Sequence, residues 1–347
     1  MERRYDIDWI RVIAIGLLLV YHVAIGFQPW GMMIGFITND HPWSSLWIPM
    51  TLLNVWRIPL LFFVSGMGVY FALRRRSWTQ LLMERAQRIL LPFVFGMVAI
   101  VPIHVYLWQQ YYQFDVSYAP GPGHLWFLGN LFCYVVILLP FFYYLKRREG
   151  QGISPWVARV CRTPLVLLPV YVLFITEVLI LQPVPFELYA MTWHGFFIGL
   201  LAFFFGFLFV WCGAPFWGML LRWRWLFVAL AIGLFILRLT YFQSMAPSYL
   251  VAVESNSWIF AVFAFGYRHL NRPGNVLRYL SQAAYPVYIV HMLCLYLASL
   301  LVFPLPLAVP IQFILVLLLT VAGCFALYEL LIKRVALLRV LFGLRKR

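Results

Sequence analysis

Long apolar runs separated by short polar segments fill the chain from end to end. A helix crossing a bilayer needs about 20 mostly apolar residues, because the hydrocarbon layer is about 30 Å thick and each residue rises about 1.5 Å. The pattern predicts ten such helices, over residues 7–28, 46–73, 89–112, 124–145, 164–182, 191–212, 225–243, 250–267, 279–303 and 310–332. The fold class is therefore an all-α, polytopic integral membrane protein. Runs seven and eight are the least secure, being short and holding Arg238 and Glu254. No internal repeat, linker or low-complexity tract divides the chain, so residues 1–347 read as a single membrane domain. Pro59, Gly66, Gly68, Pro92, Pro102, Pro140, Gly206 and Pro286 lie inside the runs. Such residues break helical ladders or permit close approach, and neighbouring helices can re-satisfy the backbone.

Charge fixes the expected orientation. Of 26 Lys and Arg residues, 23 fall in alternate gaps, at the two ends and after runs two, four, six and eight; the opposite gaps hold none. Basic residues concentrate on the cytoplasmic side, which predicts both termini in the cytoplasm. A composition 64% hydrophobic and 11% charged cannot cover a water-facing surface. The net charge of +15 reads as membrane anchoring and excludes a nucleic-acid partner, because the basic residues punctuate apolar spans. Cys133, Cys161, Cys212, Cys294 and Cys324 are scattered without metal-ligand spacing, so neither a disulfide framework nor a metal site is expected. The basic N-terminus and first run lack a small-residue cleavage site and read as an uncleaved helix rather than a signal peptide.

The remaining three basic residues, Arg11, Arg57 and Arg238, lie within the runs. An ionisable group in a span costs roughly 2.5–3.5 kcal/mol on insertion scales, so it should pair or face a wet cavity. At about 100° per residue, Arg11 and His22 come within about 20° of each other on a helical wheel, and Asp8 within about 60° of both. One stripe of the first helix thus carries Asp8 and Arg11 near its cytoplasmic end and His22 toward its outer half. His104, His124, His194, His291, Glu177, Arg238 and Glu254 also fall in outer halves, and Arg57 lies near mid-membrane before the small-residue segment SGMG. Taken singly, each has an ordinary structural explanation. Together they predict a polar cavity opening outward, in which a histidine suits general-base work at neutral pH. Arg57, His124, Glu254 and His291 are its expected lining. On the cytoplasmic side, Arg85 and Arg88 share a helical face just before the third run. Arginine's planar fork suits phosphate, although plain membrane anchoring accounts for the pair equally well.

These pieces resemble the membrane acyltransferase 3 family. The first span carries D-x-x-R-x10-H from Asp8 through Arg11 to His22, and Arg85 and Arg88 match an RxxR motif of the third helix. WRIPLLFFVSGM (Trp56 to Met67), GHLWFL (Gly123 to Leu128) and YPVYIVH (Tyr285 to His291) follow in family order. The C-terminal YELLIKR and LFGLRKR resemble the glucan-modifying branch, without an appended extracytoplasmic hydrolase-like domain. The resemblance implies an O-acyltransferase that moves an acetyl or succinyl group from cytosolic acyl-CoA to a hydroxyl of a carbohydrate or glycan at the outer face of a bacterial inner membrane. It implies His22, Arg11 and Asp8 as the catalytic group, with His22 as general base or covalent acyl carrier. It implies Arg85 and Arg88 as donor-binding residues and acyl-CoA as a co-substrate, with no bound cofactor. The competing reading is a secondary transporter, which broken helices and midplane charges also suit.

Overall fold

A computed structural model describes residues 4–148, 155–243 and 245–344. Arg3, Arg345, Lys346 and Arg347, counted among the basic end segments, lie outside the described residues. Among the described residues ten helices are long and apolar enough to cross a membrane. They are α1 (Tyr5–Ile25), α2 (Ser44–Arg74), α3 (Trp78–Tyr111), α4 (Gly123–Arg148), α5 (Pro164–Leu181), α6 (Trp193–Trp211), α7 (Ala214–Thr240), α8 (Ser248–His269), α9 (Asn275–Val302) and α10 (Val309–Ile332). A short helix, α11, follows at Ala336–Leu341.

Most ends agree with the apolar pattern to within a few residues; two starts do not. Helix α7 begins at Ala214, so Arg222 and Arg224 lie inside it rather than in a gap, and α7 and α8 are 27 and 22 residues long. Long arginine stems can lie along apolar surface with the head reaching water, which lets a span continue through them. Helix α3 begins at Trp78 and already contains Arg85 and Arg88.

Contacts gather the chain into two compact units. Unit 1 comprises Met1–Ala14, Leu52–Met83 and Asn130–Leu277; unit 2 comprises Ile15–Thr51, Glu84–Gly129 and Arg278–Arg347.

Unit 1 is built on the close contact of α2 and α6. A Cβ on Gly66 would sit 1.9 Å from the Phe203 carbonyl oxygen, and one on Gly206 would sit 2.0 Å from that of Phe63. Only hydrogen fits at either position, which is how small residues let membrane helices approach. Aromatic rings fill the space around this contact, with Phe142 stacked on Phe207 at 3.8 Å and Phe63 on Phe209 at 5.5 Å. Helix α2 breaks at Val55–Trp56. Pro59 explains the break, because it has no N–H to give the Val55 carbonyl four residues back and its ring crowds that oxygen. The buried Tyr189 hydroxyl donates to Val55 O instead, at 2.8 Å. Two buried ion pairs complete the unit. Arg238 of α7 makes a two-pronged contact with Glu254 of α8 at 2.8 and 2.9 Å, and His194 of α6 meets Glu177 of α5 at 2.9 Å.

Unit 2 repeats the proline logic in α3. Residues Ala86–Leu90 and Gly96–Ile100 wind as π-helix ahead of Pro92 and Pro102. Pro102 orphans the Val98 carbonyl, and the Tyr118 hydroxyl donates to it at 2.8 Å. Pro92 orphans the Arg88 carbonyl, against which Gly343 packs after α11; a Cβ on Gly343 would lie 2.8 Å from that oxygen. The loop between α1 and α2 is held by side chains. Asn39 Nδ2 donates to Gln312 Oε1 of α10 at 2.6 Å, and Gln28 Nε2 donates to Trp43 O at 3.0 Å. Val23, Phe27, Phe36, Met292, Leu295 and Val316 form the apolar core beneath it.

Candidate active site

Four histidines of unit 2 converge. His22 sits in the last turn of α1 and His104 in the C-terminal part of α3, while His124 opens α4 and His291 lies midway along α9. The His22 and His291 rings lie edge to edge, within 12° of parallel and with centroids 5.0 Å apart, and His22 Nδ1 is 2.8 Å from His291 Nε2. His124 meets His291 edge-on at 4.9 Å and His104 at 5.4 Å. His291 is fully buried, His104 nearly so, and His22 and His124 are half-buried.

Backbone carbonyls and tyrosines fix the cluster. His124 Nε2 donates to Ile289 O of α9 at 3.0 Å, and the Tyr288 hydroxyl donates back to the His124 carbonyl. His291 Nδ1 donates to Tyr288 O, three residues earlier on its own helix, at 2.6 Å. Local geometry puts His124 within reach. Gly123 has φ +45°, and a Cβ there would press to 3.1 Å from Val101, so the chain turns into α4 at a position that disfavours a side chain. Phe36 from the first loop caps His22 edge-on at 5.6 Å, and Tyr296 stands edge-on to His104 at 5.3 Å while its hydroxyl holds the Gly35 carbonyl. Among the described residues no group of three or more His, Cys, Asp or Glu side chains is arranged to hold a metal.

Of the residues the sequence singles out, the structure thus brings together His22, His104, His124 and His291. Asp8 and Arg11 belong to unit 1, where they form an ion pair at 3.5 Å with both side chains partly exposed. Arg11 Nη2 lies 3.6 Å from where a Gly68 Cβ would be, so the SGMG segment makes room both for α6 and for this guanidinium. Arg57, also in unit 1, is 1% exposed at the start of the second half of α2. Glu254 has both oxygens on Arg238, which ties it to the α7–α8 pairing. Arg88 pairs with Glu84 at 3.3 Å across one turn of α3, and Arg85 buries its Nε. The pair enters the π-helical turn of Ala86–Leu90, so the face-sharing expected of regular α-helix is altered there. Tyr288, which anchors His291 and His124, escaped the sequence reading as a site residue. The signal was present in YPVYIVH, because a carbonyl three residues back is within reach of a helical histidine.

Ten apolar helices among the described residues define an integral membrane protein, one unit of which gathers four imidazoles. Residues 4–329 match the family model of the acyltransferase domain, acyltransferase 3, and the chain belongs to that family. It is a membrane acyltransferase, which displaces the transporter alternative. No match was found among the curated proteins or the solved structures compared.

Proposed function

We propose that this acyltransferase moves an acetyl or succinyl group from cytosolic acyl-CoA to a hydroxyl of a carbohydrate or glycan at the outer face of a bacterial inner membrane. The observation that supports this best is His22, held through Nδ1 by His291 within a histidine cluster at the far end of α1 from the basic N-terminus. With both termini in the cytosol, the end of α1 that carries His22 faces the outer half of the membrane, while Arg85 and Arg88 stand at the cytosolic start of α3. The arginines hold the CoA phosphates by charge-assisted, forked contacts. Asp8 and Arg11 sit near the cytosolic end of α1, too far along it to touch the acceptor, and position donor or helix.

In the reaction His22 acts as general base. It takes the proton from the acceptor hydroxyl as that oxygen attacks the thioester carbonyl carbon. A C–O bond forms, the C–S bond breaks, and the proton passes from His22 to the departing CoA sulfur. An imidazole suits both halves of this exchange near neutral pH.

The test is acceptor acylation by purified protein in liposomes, with CoA thiol release and product mass measured together. His22→Ala is expected to insert normally and bind donor, since it only removes a polar group from the membrane. Its transfer rate should fall by about 10²–10⁴-fold, the usual contribution of a general base. Turnover within a few-fold of the parent would remove His22 from the chemistry.

A further inference from the structure

Carbonyl oxygens only accept hydrogen bonds, and this settles where the protons of the His22–His291 pair reside. His291 Nδ1 faces Tyr288 O at 2.6 Å and must carry a proton to bond it. In the neutral ring His291 Nε2 then holds the lone pair. His22 Nδ1, 2.8 Å away, must be the donor in their shared bond. The neutral His22 ring therefore keeps its basic lone pair on Nε2. The proton order runs in one direction, from His22 Nδ1–H to His291 Nε2 and from His291 Nδ1–H to the α9 backbone.

We infer that His291 is a positioning residue that selects the Nδ1–H tautomer of His22 and so leaves Nε2 as the nitrogen that receives the acceptor's proton. This rests on the reading of His22 as general base. The device resembles in principle the carboxylate that orients a catalytic histidine, with a second imidazole anchored on a peptide carbonyl in its place. The neutral anchor suits its surroundings. His291 is fully buried in a membrane helix, where a carboxylate would need a cationic partner of its own. Packing holds the pair in register: the rings lie within 12° of parallel, and His124 and Phe36 close on them edge-on. Tyr288 of the YPVYIVH segment thereby gains a role, since its carbonyl anchors the proton order.

Three variants and one spectrum test this. His291→Leu fills similar volume but accepts no hydrogen bond, whereas the side-chain carbonyl of His291→Gln accepts one from His22 Nδ1–H. Turnover in His291→Leu is expected to drop by about 10²-fold with the donor KM unchanged, the lower end of what a general base contributes. His291→Gln should recover at least a tenth of parental turnover. In ¹⁵N-histidine-labelled protein in lipid, the His22 resonances, assigned by their loss in His22→Ala, should show protonated Nδ1 and unprotonated Nε2. That pattern should persist in His291→Gln and give way to Nε2–H in His291→Leu. Nε2–H on His22 in the parent would overturn the inference, as would equal turnover in the Leu and Gln variants. Failure of the general-base reading itself would appear elsewhere, as retained turnover in His22→Ala.

Discussion

Arg85 and Arg88 show how far a single side chain's surroundings divide residues that a motif treats alike. Arg88 shares its charge with Glu84, while Arg85 is drawn in far enough to bury Nε. If they bind CoA phosphates, replacing either with Lys keeps the positive charge and loses the fork. Donor affinity is expected to fall about 10–100-fold per lost charged hydrogen bond, which contributes roughly 1.5–3 kcal/mol. Titration of the non-transferring parent and variants with CoA measures this directly. Unchanged affinity in both Lys variants and in the double Ala variant would assign the pair to membrane anchoring. The histidines teach a different lesson about legibility. His22 stood out because it shares a stripe with Asp8 and Arg11, and His124 and His291 because each lies in an apolar run. Their pairing was not legible, because His22 and His291 are 269 residues apart and no local periodicity reports on such a contact.

Among elements, the α7–α8 pair carries the clearest energetic statement. Arg238 of α7 and Glu254 of α8 are the buried ionisable groups of the two helices, and they meet with side chains 3% and 1% exposed. A buried pair is costly to break by one partner, about 3–5 kcal/mol, yet often replaceable as a whole by apolar residues. Glu254→Gln and Arg238→Met are each expected to lower thermal stability in detergent sharply. The double variant Arg238→Met with Glu254→Leu should regain most of the loss and keep acyl transfer per folded molecule. Loss of transfer in a stable double variant would instead give Glu254 the cavity role that its sequence position suggested. The apolar pattern revealed these helices as spans but placed the start of α7 late, since Arg222 and Arg224 read as a gap. The π-helical turns of α3 leave no periodic trace at all; only Pro92 and Pro102 mark where the ladder must change.

For the molecule as a whole, the segregation of basic residues is the feature most open to direct test. A cysteine at Asp115, in a background with the five native cysteines replaced, is expected to react with an impermeant thiol reagent added to intact cells. One at Arg159 should react only after permeabilisation. The reverse pattern would turn the protein over and put the Arg85 and Arg88 end outside. The proline sites in α2 and α3 bear on this molecule in a further way. At both, a phenol from a distant stretch holds the carbonyl that proline has set loose, Tyr189 on Val55 and Tyr118 on Val98. Both proline sites are therefore pinned by a side chain from outside the helix. Without the phenol the oxygen would turn to water, which would have to be drawn into the oily layer to reach it. At Val55 and Val98 alike, the chain thus carries its own solvent for a freed backbone oxygen, in the form of a tyrosine hydroxyl.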